Sequence, residues 1–192
     1  VVEISQQMVP KNRERYVSSR GGVSDVHLIW ADNESQQAGE VLRYVRHHIQ
    51  NAELLILSRF KPDKAENPAN VAYSKLKGAD DKFLSFHRSK GLEADAVLVT
   101  GLLHDKAGRW SFPAKDSDDL PVKFVKQIGF DEDQGEEEAR LFYVALSRAR
   151  DHLFLVGSMG SPSPFLKSLR GLKEVRLSKW TEQNAPGVLK TP

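Results

Sequence analysis

A short turn between two predicted strands concentrates side chains that can bind phosphate. The run SFHRSKGLE, residues 85–93, places a serine, a histidine, a lysine and a glutamate around one glycine. Lys90 can meet a phosphate, and Gly91 lets the backbone approach a ligand closely or adopt a positive φ. Taken singly, these residues have simpler explanations, because a histidine at a strand end is usually just hydrogen-bonded and a lysine before glycine is usually just solvated.

A second stretch, residues 136–157, reads EEEARLFYVALSRARDHLFLVG and predicts a helix followed by a strand. Its apolar residues share one broad arc of the helix, but Arg148 projects close to Leu141 and Val144 at the edge of that arc. An unpaired guanidinium would be unfavourable there, and a paired one needs an anionic partner. Arg148 is therefore either a side chain that snorkels to water or a group that meets an anion.

Alternating strands and helices are predicted to position these two stretches. The continuous apolar runs at 54–57 and 96–101 are typical of strands covered on both faces of a parallel sheet. This order predicts an α/β sheet with its site at the carboxyl ends of the strands. The predicted strands span residues 23–31, 54–57, 82–86, 96–101, 122–125 and 153–157, and the helices after the first strand begin near residues 34, 69, 136 and 165.

Composition limits the class of protein. Of the 192 residues, 40% are hydrophobic, which is enough for a real core. The sequence contains no cysteine, so disulfides and cysteine-bound zinc are excluded, and we expect an intracellular protein. It has neither a long apolar run nor a signal peptide, so we expect it to be soluble and to have no membrane partner. A net charge of +2 does not by itself indicate nucleic acid, so any basic surface must come from local segregation of charge.

Together, the two stretches resemble motifs V and VI of the UvrD/Rep family of superfamily 1 DNA helicases. In that family a Thr-x-His-x-x-Lys-Gly-Leu-Glu run precedes a strand, and a Glu-Glu-x-Arg-Leu-x-Tyr-Val-Ala-x-Thr-Arg-Ala run forms a helix. Residues 85–102 and 136–157 agree in spacing, order and flanking strand. LILSRF, residues 55–60, is similar to the strand that begins the family's second motor domain, and SPSPFLKSL, residues 161–169, is similar to the tail of helicase IV relatives. The resemblance implies a RecA-like α/β fold of the P-loop NTPase type, a mostly parallel sheet flanked by helices.

The resemblance also implies a role for each matched position. Arg148 matches the arginine finger, which reaches across the cleft between two motor domains to the γ-phosphate of ATP. Glu93 matches the glutamate that contacts the ribose. Lys90 and Gly91 match residues that line the nucleotide cleft. Arg140 matches a residue that supports the finger by pairing with an acid such as Glu137. Contact with single-stranded DNA is implied for Ser85, His87 and Arg59.

Two parts of a complete nucleotide site are absent from the sequence. It contains no GxxxxGK[ST] loop (Walker A), and no apolar strand ends in the paired acids that would hold Mg²⁺. The chain is therefore predicted to be the C-terminal motor domain (2A) of a longer helicase. Its predicted partners are single-stranded and duplex DNA and the N-terminal RecA-like motor domain of the same polypeptide, which would hold ATP with Mg²⁺. The implied location is cytoplasmic, and nucleoid-associated when DNA is bound.

The predicted domain division has three parts. Residues 1–22 are expected to be a helix and linker from the preceding part of the helicase, 23–171 the motor domain, and 172–192 a loose tail. Within the motor domain, Trp110 and Phe112 lie where the family often carries a Phe-Pro pair, and burial explains them equally well.

The sequence departs from the family pattern at four positions. Ser85 and Ser147 replace threonines and keep the hydroxyl, whereas Ala94 replaces a phenylalanine and Ala139 an arginine, with loss of bulk or charge. Two other functions stay open: a non-catalytic DNA-binding or regulatory module that keeps this fold as a scaffold, and an unrelated α/β nucleotide-binding protein. The second lacks a glycine-rich phosphate loop after its first strand.

Overall fold

The computed structural model describes residues 25–31, 34–49, 51–59, 82–103, 112, 134–158, 162–169 and 175–178. Predicted elements at residues 1–22, 69–76 and 122–125 lie outside these ranges. The described elements are β1 Asp25–Ala31, α1 Glu34–His48, β2 Leu54–Ser58, β3 Lys82–Ser85, a 3₁₀ turn His87–Ser89, β4 Ala94–Leu102, α2 Gln134–Leu146, β5 Ala149–Ser158, α3 Pro164–Leu169 and β6 Val175–Ser178. The predicted strands within the described ranges are therefore confirmed, with ends that shift by a few residues.

The six described strands form one sheet in the order β3-β2-β4-β5-β1-β6, and every described pair is parallel. The predicted α/β class with a mostly parallel sheet is thus confirmed. Because the strands run in one direction, the sheet has two chemically distinct ends. We call the end where strands begin, at Ala94 and Ala149, the amino rim, and the end where they finish, at Ser58 and Ser85, the carboxyl rim.

Alternating residues of the central strands build two hydrophobic layers. Leu55 and Leu57 of β2 point to the layer covered by α2 and α3, and Leu54 and Ile56 point to the layer covered by α1. The strand residues are apolar on both faces because both faces are covered, which explains the unbroken apolar runs. The sheet is consequently a rigid platform that fixes the two rims relative to each other.

The structure differs from the prediction for residues 172–192. Val175–Ser178 form β6, which pairs in parallel with β1 through Val26↔Val175 to Ile29↔Ser178, so this part is not a loose tail. The segment was missed because a four-residue strand at a sheet edge needs only one neighbour and carries little periodic signal. The rest of the predicted division stays a prediction.

No helix within the described ranges has both the length and the apolar composition required to cross a membrane.

Candidate functional site

Residues 86–93, which we call the crossing loop, connect the two rims of the sheet. At its start, the Phe86 amide donates a hydrogen bond to the Ser58 carbonyl at the carboxyl rim (3.0 Å). Just after its end, the Ala94 amide donates to the Arg148 carbonyl at the amino rim (3.0 Å). Eight residues therefore carry the chain from one end of the sheet to the other.

Two buried side chains hold the crossing loop on the sheet. Phe86 and Ser89 are both fully buried, and the Ser89 hydroxyl donates to the Phe86 carbonyl (2.7 Å). Gly91 has φ +85°, a left-handed conformation, and open space where a Cβ would stand, so glycine is required here by the backbone alone. The remaining side chains of the loop are exposed: His87, Arg88, Lys90, Leu92 and Glu93.

Phe112 fixes the start of the crossing loop against the helices. It is fully buried, and its ring meets those of Phe86 (5.4 Å between centroids), Phe142 of α2 (5.5 Å) and Phe165 of α3 (5.2 Å). Of the two explanations that the sequence left open, burial therefore accounts for Phe112. Trp110 lies outside the described residues.

Arg148 lies in the two-residue turn between α2 and β5, at the amino rim. The helix ends at Leu146, earlier than the helical pattern predicts, so Arg148 is not on the helix surface. Its Nε donates to the Val144 carbonyl (2.9 Å), its Nη1 to the Leu92 carbonyl (3.0 Å) and its Nη2 to the Ser147 hydroxyl (2.9 Å). Three of its five N–H donors are thus used, and the side chain is fixed rather than snorkelling.

All three of these partners are electrically neutral. Within the described ranges no carboxylate pairs with Arg148, whose side chain is half-buried. A fixed guanidinium with two N–H donors left over can donate two hydrogen bonds to one anion such as a phosphate. Because Arg148 bonds Leu92, the residue next to Glu93, the structure brings the predicted finger and the predicted ribose contact together.

The location of this group corrects one prediction. The sequence predicts the site at the carboxyl ends of the strands, but Arg148 and Glu93 both immediately precede strands and lie at the amino rim. The carboxyl-end rule describes ligands held by loops that follow strands, such as the phosphate loop, which this sequence lacks. The predicted DNA residues Ser85, His87 and Arg59 follow or end strands, so they lie toward the carboxyl rim.

Ion pairs brace the amino rim beside Arg148. Arg150 contacts both Glu53 and Asp95 at 3.1 Å, and Glu53 in turn contacts Lys82 at 3.1 Å. The Asp95 carboxylate also accepts a hydrogen bond from the Glu53 amide (2.9 Å). These four residues stand at the starts of β2, β3, β4 and β5, so the network ties together the starts of four neighbouring strands beside the Arg148 turn.

A less exposed ion pair lies at the carboxyl rim. Arg59 follows the last residue of β2, and its Nε lies 3.0 and 2.9 Å from the two carboxylate oxygens of Glu138, with Nη2 at 2.6 Å from Oε1. The side chains are only 17% and 7% exposed. Sequence reasoning missed the pair, although Glu138 stands four residues before the buried Phe142, on the same helical stripe, where an acid needs a partner.

The other predicted residues are placed as follows. Ser85 is buried, with 6% of its surface exposed, and His87 is exposed one residue past Phe86. Arg140 lies half-buried in α2, and its predicted pairing with the exposed Glu137 stays a prediction. Among the described residues, no cluster of three or more histidines and carboxylates could hold a metal ion.

The parallel sheet covered on both faces by helices is consistent with an α/β domain of the RecA-like class. Residues 70–159 match the family model of the UvrD-like helicase C-terminal domain, which confirms the resemblance found in the two motifs.

Individual relatives agree with this family. DNA helicase IV of Escherichia coli (strain K12) is 34% identical over 122 residues, covering 62% of this chain and 17% of that protein. A probable DNA helicase II homolog of Mycoplasma pneumoniae is 32% identical over 120 residues, covering 58% of the chain and 14% of the relative. The ATP-dependent DNA helicase UvrD2 of Mycobacterium bovis is 38% identical over 71 residues, covering 37% of the chain and 8% of the relative. The chain thus spans less than a fifth of the length of these curated relatives.

Proposed function

We propose that this chain is the C-terminal motor domain of an ATP-dependent DNA helicase and supplies an arginine finger, a ribose contact and part of a single-stranded DNA track. The observation that carries the proposal is the position of Arg148. Its guanidinium is fixed by neutral acceptors at the amino rim beside Glu93, while His87 lies toward the opposite rim of the same sheet. Nucleotide and DNA would thus meet opposite ends of one rigid platform.

The residues at the amino rim fit a nucleoside triphosphate. Bound ATP would supply the γ-phosphoryl group whose transfer to water powers movement. Arg148 would stabilise the charge that develops on that group, with its side chain already oriented by Val144 and Leu92. The Walker residues that hold Mg²⁺ and the phosphates would come from the N-terminal motor domain of the same polypeptide, since this sequence has none.

The exposed end of the crossing loop would contact the rest of the nucleotide. Glu93 would accept hydrogen bonds from ribose hydroxyls, and Lys90 would line the cleft as a positive charge. Gly91 would act through its left-handed backbone, which directs the chain into Leu92 and Glu93. Arg140 lies in the helix that precedes Arg148 and would help to hold that arginine in position.

The beginning of the crossing loop would face DNA. His87 is exposed and can bind a phosphate or stack on a sugar or base. Ser85 is mostly buried, so it would present only a small part of its surface to the strand. Arg88 is exposed next to His87 and adds a positive charge at a position that the motif leaves variable. Closure and reopening of the cleft at Arg148 would then move DNA stepwise past these residues.

We expect the full-length protein that contains this chain to hydrolyse ATP in the presence of single-stranded DNA, and the isolated chain to hydrolyse none. The reason is that Arg148 completes a site whose phosphate loop is not in this sequence. The measurement is steady-state phosphate release with and without an oligothymidylate. A full-length protein that binds DNA but never turns over ATP would contradict the proposal and favour the non-catalytic DNA-binding module.

Replacing Glu93 by alanine in the full-length protein is expected to raise the KM for ATP by roughly 10- to 100-fold, since a hydrogen bond to a charged group contributes about 1.5–3 kcal/mol. The kcat should change much less because Glu93 contacts the ribose and not the reacting phosphate. Asp151→Ala, which removes an exposed acid on β5, is the matched control. An unchanged KM for Glu93→Ala would remove this residue from the nucleotide site.

A further inference from the structure

Helix α2 connects the Arg59–Glu138 ion pair at one rim to Arg148 at the other. Glu138 lies near the start of the helix, and Arg59 follows β2 at the carboxyl rim. Eight residues later the helix ends at Leu146, about 12 Å away at 1.5 Å per residue. The next residues are the turn that carries Arg148 at the amino rim.

The helix is packed as a rigid element between these two points. Phe142, Ala145 and Leu146 on its inner stripe are fully buried against the sheet. At its end the Arg148 Nε donates to the Val144 carbonyl, so the finger is attached to the helix itself. The helix between Glu138 and Arg148 is too tightly packed to deform, so a small displacement of its first turns would also move Arg148.

The geometry of Arg59 argues against a direct contact with DNA. Its Nε reaches both carboxylate oxygens of Glu138 and its Nη2 reaches one of them, so its charge is matched by a partner that is 7% exposed. The Glu138 carboxylate occupies the edge of the guanidinium formed by Nε and Nη2, so a DNA phosphate could bind that edge only by displacing Glu138, which would leave a carboxylate buried without compensation. Contacts of two or more N–H groups with one carboxylate also fix geometry better than a single contact does.

We propose that Arg59 is a positioning residue: its ion pair with Glu138 pins the start of α2 to the carboxyl rim and thereby couples DNA at that rim to the placement of Arg148. This inference rests on the proposed function and goes beyond it, since it assigns Arg59 to coupling and withdraws it from the DNA contacts. The ion pair spans 79 residues of sequence and joins the end of β2 to the helix that carries the finger.

The test measures three quantities in the full-length protein: the ratio of ATP hydrolysis with and without single-stranded DNA, the Kd for a labelled oligothymidylate at several salt concentrations, and the thermal midpoint. In the double variant Arg59→Met with Glu138→Leu, apolar side chains replace the pair, a change that buried ion pairs often tolerate. We expect the DNA stimulation to fall about fivefold or more, a typical coupling effect, with an unchanged Kd and a thermal midpoint close to that of the wild type. Arg43→Met, an exposed arginine on α1 at the opposite face, is the matched control.

Glu138→Gln provides a second variant that keeps the shape of the side chain. If Arg59 only positions α2, this variant loses stimulation at unchanged DNA affinity. If Arg59 is instead a DNA ligand, releasing its charge from Glu138 should tighten DNA binding and steepen its salt dependence. Tighter DNA binding with a steeper salt dependence would overturn the inference. Wild-type stimulation of ATP hydrolysis by DNA in either the folded double variant or the folded Glu138→Gln variant would overturn it as well. A wild-type protein without DNA-stimulated hydrolysis would instead refute the proposed function, so the two failures are distinguishable.

Discussion

Arg148→Ala in the full-length protein is expected to lower DNA-stimulated ATP hydrolysis by about 10³- to 10⁵-fold, the effect typical of an arginine finger. The loss should appear in kcat, because the guanidinium is needed where charge develops on the transferred phosphoryl group. ATP affinity and DNA affinity should change far less. The measurement is single-turnover phosphate release at saturating ATP and DNA.

Arg148→Lys separates the charge of the finger from its geometry. A lysine cannot bond Val144, Leu92 and Ser147 at once while presenting two donors to an anion, so it should restore little activity. Arg43→Ala on α1 serves as the control for loss of one positive charge. Turnover within a fewfold of the wild type in a folded Arg148→Ala protein would refute the role proposed for this residue.

Phe112→Ala is expected to reduce the free energy of unfolding by about 3–5 kcal/mol, the usual result of deleting a fully buried aromatic side chain. Phe112 contacts three aromatic rings, from the crossing loop, α2 and α3, so its removal leaves a cavity that no single neighbour can fill. Urea denaturation of the chain gives the value. Phe112→Leu, which keeps most of the volume, should lose less.

The same pair of variants distinguishes packing from recognition. If Phe112 stacked on a DNA base instead, Phe112→Ala would weaken DNA binding and leave the denaturation midpoint unchanged. Full burial of the ring favours the first outcome.

Much of the fold was predictable because its signals are local. The runs at β2 and β4 are apolar on both faces, and a strand buried on both faces has no need of polar alternation, so the parallel sheet followed from the sequence. The two motif stretches likewise predicted which residues would cluster, because the chain leads directly from the crossing loop into β4 and from Arg148 into the neighbouring strand β5. The roles of these residues stay predictions until activity is measured.

Features that depend on distant partners could not be predicted in this way. The contact between Arg59 and Glu138 joins residues separated by 79 positions, and periodicity shows only that Glu138 is on the inner stripe, not which cation meets it. The rim that carries Arg148 was also wrong in the prediction, because the carboxyl-end rule applies to loops that follow strands, whereas Arg148 and Glu93 precede strands. Strand β6 was missed because its pairing with β1 is set by the sheet edge and not by its own four residues.

The crossing loop has one further consequence, for how this region can change. Its two buried anchors, Phe86 and Ser89, are three residues apart, and its last residue must meet the start of β4. Surface loops usually accept insertions and deletions. Here one added or missing residue would move Ser89 out of its buried site and shift Glu93 away from Arg148. The length of the loop is therefore fixed by the distance between the two rims of the sheet, in addition to any requirement on the residue types within it.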